Sequence, residues 1–177
     1  MNKKTMYIIV AVLVVVIVVA GAGILLLNNG GGGEPEPTPT PTPVGVADAT
    51  SLQFTVGITH SEGGDSEVYT FSAKNIGEDN VAIRIDMDLG AAAGKFSYII
   101  DSGAEKSWMT MDEGATWTES VYTDDQATYA VLLKNYMDKL IEVGGTEDYT
   151  YTDGEATVKI SNIQVDPTLE ASLFTAS

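Results

Sequence analysis

Few side chains in this chain are of types that do chemistry. His60 is the sole histidine. It sits in His60-Ser-Glu-Gly-Gly-Asp-Ser66, a stretch of turn-forming residues. An imidazole near Ser and Asp could act as a base, but no Gly-x-Ser-x-Gly elbow accompanies it. It reads as an exposed loop histidine. Asp86 and Asp88 share one face of an alternating segment, about 7 Å apart at ~3.4 Å per residue. That spacing could serve a carboxylate pair or a calcium ion. No EF-hand loop or Asp-rich repeat supports either role. With 25 acidic residues in the chain, a solvated face is the simpler account. Arg84, the single arginine, reads as one half of a cross-strand ion pair, with a gate or ligand contact as the functional alternative. Trp108 and Trp117 flank Asp112-Glu113-Gly114, a tight-turn sequence, so they read as cross-strand packing or as the lining of a pocket. The chain has no cysteine. Disulfides, thiolate metal sites, iron–sulfur clusters and cysteine nucleophiles are thereby excluded. We expect no catalytic residues, no metal and no cofactor, and not an enzyme.

The elements that would carry these residues are mostly strands. In Thr50–Thr59, Leu52, Phe54, Val56 and Ile58 alternate with smaller or polar residues. Such alternation marks a half-buried strand. Glu67–Asn75, Val81–Leu89, Lys95–Asp101, Lys106–Met111 and Thr116–Glu119 follow at short, even spacing. Together they predict an antiparallel meander with one apolar face. From Thr123 or Asp124 as the expected cap, Ala130, Leu133, Met137, Leu140 and Ile141 recur at helical spacing, widened by Tyr129, Leu132 and Tyr136. Gly144-Gly145 ends that helix of about five turns. Two more strands are expected, Asp148–Tyr151 and Glu155–Ile163, with a bulge at Ser161-Asn162 where the apolar parity switches. Asp166-Pro167 stops the ladder, and Leu169, Leu173 and Phe174 form an apolar hook.

The predicted fold is therefore mainly β with one α-helix, a curved antiparallel sheet or half-open β-barrel covered by the helix. The apolar face bears Phe54, Val56, Ile83, Ile85, Phe96 and Tyr98, with Trp108 beside it and Leu133 and Met137 above it. One helix about 10 Å wide cannot seal a sheet of six to eight strands. Either side chains fill the interior or an apolar cavity remains there.

The ending Asp166-Pro-Thr-Leu169-Glu-Ala-Ser172-Leu173-Phe174, with the Arg-bearing run Val81-Ala-Ile-Arg84-Ile-Asp86 and Tyr98-Ile-Ile-Asp101 through Trp108, resembles the LolA/LppX-like lipoprotein-carrier family. The likeness spans roughly Leu52 to Phe174. It implies a half-open barrel, lidded by helix, whose apolar concave face holds acyl chains or whole lipids. The chain departs from the family in lacking a lipobox cysteine and an N-terminal helix within the domain, and in having a single arginine. It also looks short of strands for the barrel. A tethered carrier could not shuttle freely between membranes.

The first third of the chain has a different composition. Met6–Leu27 is 22 residues without a charge. As helix it would span ~33 Å, enough for a hydrocarbon core of ~30 Å. Lys3 and Lys4 precede it, and no Lys or Arg follows until Lys74. Residues 1–5 are therefore expected in the cytoplasm, 6–27 as one transmembrane helix, and the remainder outside. Ala20-Gly21-Ala22 offers a signal-peptide cleavage site, and a pilin-type signal is a third reading. The apolar run continues through Ile24-Leu25-Leu26-Leu27, which favours an uncleaved anchor. Residues 28–49 form a Gly- and Pro-rich stalk. Its EPEPTPTPTP run favours stiff polyproline II. Residues 50–177 form the outer domain. From Val44 onward there are 23 acids and 7 bases. So acidic a surface repels phosphate backbones, so no nucleic-acid partner is expected. The expected function is a membrane-anchored extracytoplasmic protein binding a hydrophobic ligand, a lipid or acyl chain, at the cell envelope. The alternative is a non-enzymatic envelope structural or protein-interaction module, such as a filament component.

Overall fold

The computed structural model describes residues 45–61 and 66–176. The expected cytoplasmic segment, the membrane helix, most of the stalk and the tip of the first turn lie outside them. Among the described residues no helix is long and apolar enough to cross a membrane.

Among the described residues eight strands make one sheet: β1 (Ser51–His60), β2 (Glu67–Lys74), β3 (Ala82–Asp88), β4 (Lys95–Asp101), β5 (Lys106–Thr110), β6 (Thr118–Glu119), β7 (Tyr149–Asp153) and β8 (Ala156–Val165). Their order is β6-β5-β4-β3-β2-β1-β8-β7, antiparallel throughout. The first six strands are the predicted meander. The last two form a hairpin on the free side of β1.

That order dictates the course of the long helix. The chain leaves the sheet at β6 and must re-enter at the opposite edge, β7. A short helix α1 (Gly90–Ala93) joins β3 to β4. The crossing is made by α2 (Tyr122–Asp125), a π-helical turn (Gln126–Ala130) and α3 (Val131–Glu142) in unbroken succession. At ~1.5 Å per residue they reach about 31 Å, close to the ~34 Å across eight strands. Tyr129, Leu133, Tyr136 and Leu140 are its buried residues. Asp125, Tyr129 and Leu133 follow one another at steps of four, more than the 3.6 residues of an α-turn. The π turn absorbs that surplus and keeps all three toward the sheet.

Two details differ from the expected helix. Val121 is the N-cap, without a side-chain hydrogen bond. Neither Thr123 nor Asp124 caps it; Asp125 is instead used by the sheet, accepting a 2.6 Å hydrogen bond from the Ser107 hydroxyl. Ile141 is 44% exposed, because the stripe runs through Leu140 one position earlier. The helix ends where expected. Gly144 takes φ +72, Gly145 N–H donates to the Leu140 carbonyl and Gly144 N–H to that of Ile141. This is a Schellman stop, and a Cβ on Gly145 would stand 2.7 Å from the Leu140 carbonyl oxygen.

The core lies between sheet and helix. Leu52, Phe54, Val56, Phe71, Ile85 and Ile160 are fully buried. Phe54 stacks on Phe71 at 5.0 Å, and Tyr136 meets both edge-on at 6.1 and 5.6 Å. The bulge in β8 is present. Gln53 faces Gln164 and Thr55 faces Ser161, leaving one extra residue in β8, with Asn162 at φ +55. Without it Val165 would point away from the helix; with it, Val165 pairs with Leu52 on the core side.

The opposite face is not purely polar. The C-terminal 3₁₀ turn Ala171–Phe174 lies against β3 and β4. Phe174 is buried there, Lys74 Nζ sits 4.5 Å over its ring, and Ile99 on this face is fully buried. The predicted hook is thus a second, smaller cover.

Candidate functional site

Strand register divides the expected site residues between two faces. Phe54, Ile85 and Tyr98 are joined through successive pairs Phe54–Phe71, Phe71–Ile85 and Ile85–Tyr98, so they share the helix side. Val56, Ile83 and Phe96 fall on the same side. Leu133 packs over them as a buried helix residue, and Met137 is half-buried at the helix flank. These eight residues come together as expected. Phe54, Val56 and Ile85 have no exposed surface, and Ile83 has 1%. Tyr98 meets Tyr129 of the π turn, ring centroids 4.6 Å apart. Burial pushes both phenols above their ordinary range. A phenol so placed stays neutral at any physiological pH.

Trp108 does not join them. It pairs with Ile99, on the other face. Nor does it face Trp117, since its partner across β5–β6 is Glu119. The expected tight turn is a larger loop, closed by side chains rather than by strand pairing. Asp112 accepts hydrogen bonds from the Thr110 hydroxyl and from the Thr116 amide and hydroxyl. These bonds hold its carboxyl down to about 2. Gly114 at φ +92 lies under the Trp117 ring, and the loop carries that ring to 5.8 Å from the Arg84 guanidinium.

Arg84 is the centre of the outer face. Its Nε donates to both Asp86 oxygens at 3.1 and 3.0 Å, and Nη2 to Oδ1 at 2.9 Å. The pair is along one strand, not across strands as expected, because residues i and i+2 share a face and arginine spans that gap. Asp86 Oδ1 also accepts from the Ser97 hydroxyl at 2.6 Å, and Arg84 Nη1 donates to the Leu173 carbonyl at 3.2 Å. The guanidinium is thus fixed from its own strand, from the C-terminal turn and from Trp117.

Beside it lies a half-open groove of about 290 Å³, walled by Val68, Thr70, Asp88, Lys95 and Glu113 as well as Arg84, Asp86 and Ser97. Lys95 is tied to Glu113 at 3.1 Å. Asp88 accepts from the Gly90 amide. Asp86 and Asp88 therefore have separate structural partners. Among the described residues no cluster of three or more His, Asp or Glu could hold a metal ion. Strand alternation puts Asp86 and Asp88 on the face that carries this groove. Nothing in the sequence showed that Trp117 and Leu173 would meet Arg84, or that Glu113 would line the groove.

His60 belongs to β1 rather than to a free loop. Its Nε2 stands 3.6 Å from Glu67, whose other oxygen accepts from the buried Tyr69 hydroxyl at 2.6 Å.

No protein-family model and no curated protein matches this chain.

Proposed function

We propose that this protein is a non-enzymatic binding module, held outside the cytoplasm by an N-terminal membrane helix and a proline-rich stalk, that contacts another envelope protein through its outer face. The single observation that carries this reading is how the two faces are filled. Under the helix, Phe54, Val56, Ile83 and Ile85 pack to essentially zero exposure, so side chains occupy the interior. On the other face a groove stands open beside a pinned guanidinium. A rigid charged group next to a concavity with apolar Val68 at its rim suits recognition of a polypeptide surface. The pairing of Lys95 with Glu113 and of Arg84 with Asp86 leaves no excess positive charge to attract nucleic acid.

A photo-crosslinking side chain at Thr70 or Val68, in cells carrying the full chain, tests this. Adducts with one protein species, absent when the probe is at exposed Thr157, are expected. Equal labelling from all three positions would end the proposal.

The hydrophobic-ligand reading, with a half-open barrel like that of the LolA/LppX-like family and a gate at Arg84, is favoured by one separate observation. Met109, Tyr149 and Tyr151 lie on the helix side near the two ends of the sheet and stay only partly buried. A lipid reaching the centre would have to displace the long helix. Binding of a fluorescent fatty acid that Ile85→Trp abolishes without unfolding would favour this reading over the first.

A further inference from the structure

We infer that the outer edge of β7 is an interface for a second copy of this chain, forming a two-fold dimer by antiparallel strand addition. β7 ends the sheet, and among the described residues no strand covers its free side. The hairpin to β8 is closed by the pair Asp153–Ala156 around Gly154-Glu155. In such a two-residue hairpin the closing pair exchanges backbone hydrogen bonds, and so does every second pair beyond it. Tyr151 and Tyr149 therefore spend their backbone groups on β8. The N–H and C=O groups of Thr150 and Thr152 point outward.

These outward groups are self-complementary. With Tyr151 on the two-fold axis, Thr150 of each copy faces Thr152 of the other, giving four backbone hydrogen bonds. Both threonines are exposed, and they form cross-strand pairs on one face. On the other face the two Tyr151 rings meet, each already stacked on its own Tyr149 at 5.7 Å. Asp153 falls opposite Tyr149 rather than opposite another acid. Asp148, at the strand's start, is already held by Lys159 at 2.9 Å.

Apart from the acids at its two ends, Asp148 and Asp153, the edge carries none of the usual safeguards. Tyr149–Asp153 contains no proline, no lysine and no bulge. The opposite edge is different: β6 is two residues long and is fenced by the Lys106–Glu119 ion pair. The remaining acidic surface of each copy opposes association at low ionic strength, so the dimer should strengthen with salt.

The chain has no cysteine, so a single introduced thiol can only crosslink to another copy. Tyr151→Cys places two thiols on the axis, where a non-hydrogen-bonded antiparallel pair has Cα atoms about 4.5 Å apart, within disulfide range. In the full-length protein, oxidised at about 1 M salt, where the screening length is ~3 Å, Tyr151→Cys should crosslink as a dimer. Thr157→Cys, on the neighbouring inner strand, should not. Thr150→Pro removes only an outward N–H and should abolish the Tyr151→Cys crosslink without changing the melting temperature. If Tyr151→Cys crosslinks no better than Thr157→Cys, or if the crosslink persists with Thr150→Pro, the edge is not the interface. A partner bound at the Arg84 groove would leave these results unchanged, so this interface and the proposed function stand or fall separately.

Discussion

Asp112 and Asp166 each gather several donors with one carboxylate. Asp166, at φ +50, accepts from the Thr50 and Ser51 amides and the Thr50 hydroxyl, tying the end of β8 to the start of β1. These bonds hold its carboxyl below the ordinary value, as those from Thr110 and Thr116 do for Asp112. A carboxyl lowered on folding contributes stability that is complete above its unfolded value and is lost as pH falls through the folded one. For Asp112 that window runs from the ordinary 3.8 down to about 2. Asp112→Asn should therefore melt lower than wild type at pH 7, and the gap should close between about pH 4 and 2 in a series of thermal melts. Arg84→Ala strips three partners from a part-buried network and should destabilise by ~1–2 kcal/mol. It should also speed amide exchange in Ala171–Phe174, since the Leu173 carbonyl loses its donor. The sequence marked Asp166-Pro167 as a stop and Arg84 as an ion-pairing residue. It could not show the shared roles, because Thr50 and Leu173 lie far from their partners along the chain.

At the scale of elements, periodicity located nearly everything with a face to bury. β1 and β3 alternate as read, β4 is buried on its second face as well, at Ser97 and Ile99, and the bulge near Asn162 was visible as a switch of parity. What failed were ends and offsets. β6 keeps only Thr118–Glu119 because Asp112 gathers Thr110 and Thr116 into a loop. The helix stripe is expected to include Ile141, but within the regular α3 the buried line runs Leu133, Tyr136, Leu140, and Ile141 lies about 80° round the helix from Leu133. The two readings differ measurably. Leu140→Ala and Leu133→Ala should each cost ~2–5 kcal/mol in denaturant unfolding. Ile141→Ala, at an exposed position, should stay within about 0.5 kcal/mol of wild type.

At the scale of the whole molecule, the connection from β6 to β7 fixes the design. A chain that finishes a meander at one edge and resumes at the other must cross the sheet, and the crossing helix becomes the cover of the apolar face. The C-terminal turn then covers part of the other face, which the alternating pattern left looking polar, and Ile99 on that face is fully buried. The expected apolar residues assembled as the sequence indicated, Trp108 excepted. The sequence could not say whether they enclosed a space, since that depends on how Tyr136, Leu133 and Leu140 fill the gap. The central claim is that the interior is packed by the protein's own side chains and that binding belongs to the outer surface. The most direct measurement is native mass spectrometry of the outer domain, Val44–Ser177, purified without detergent, alongside unfolding of Val56→Trp. The account predicts an unliganded mass and a loss of ~1–3 kcal/mol for the overpacked variant. A co-purified lipid that disappears in a stably folded Val56→Trp protein would contradict it.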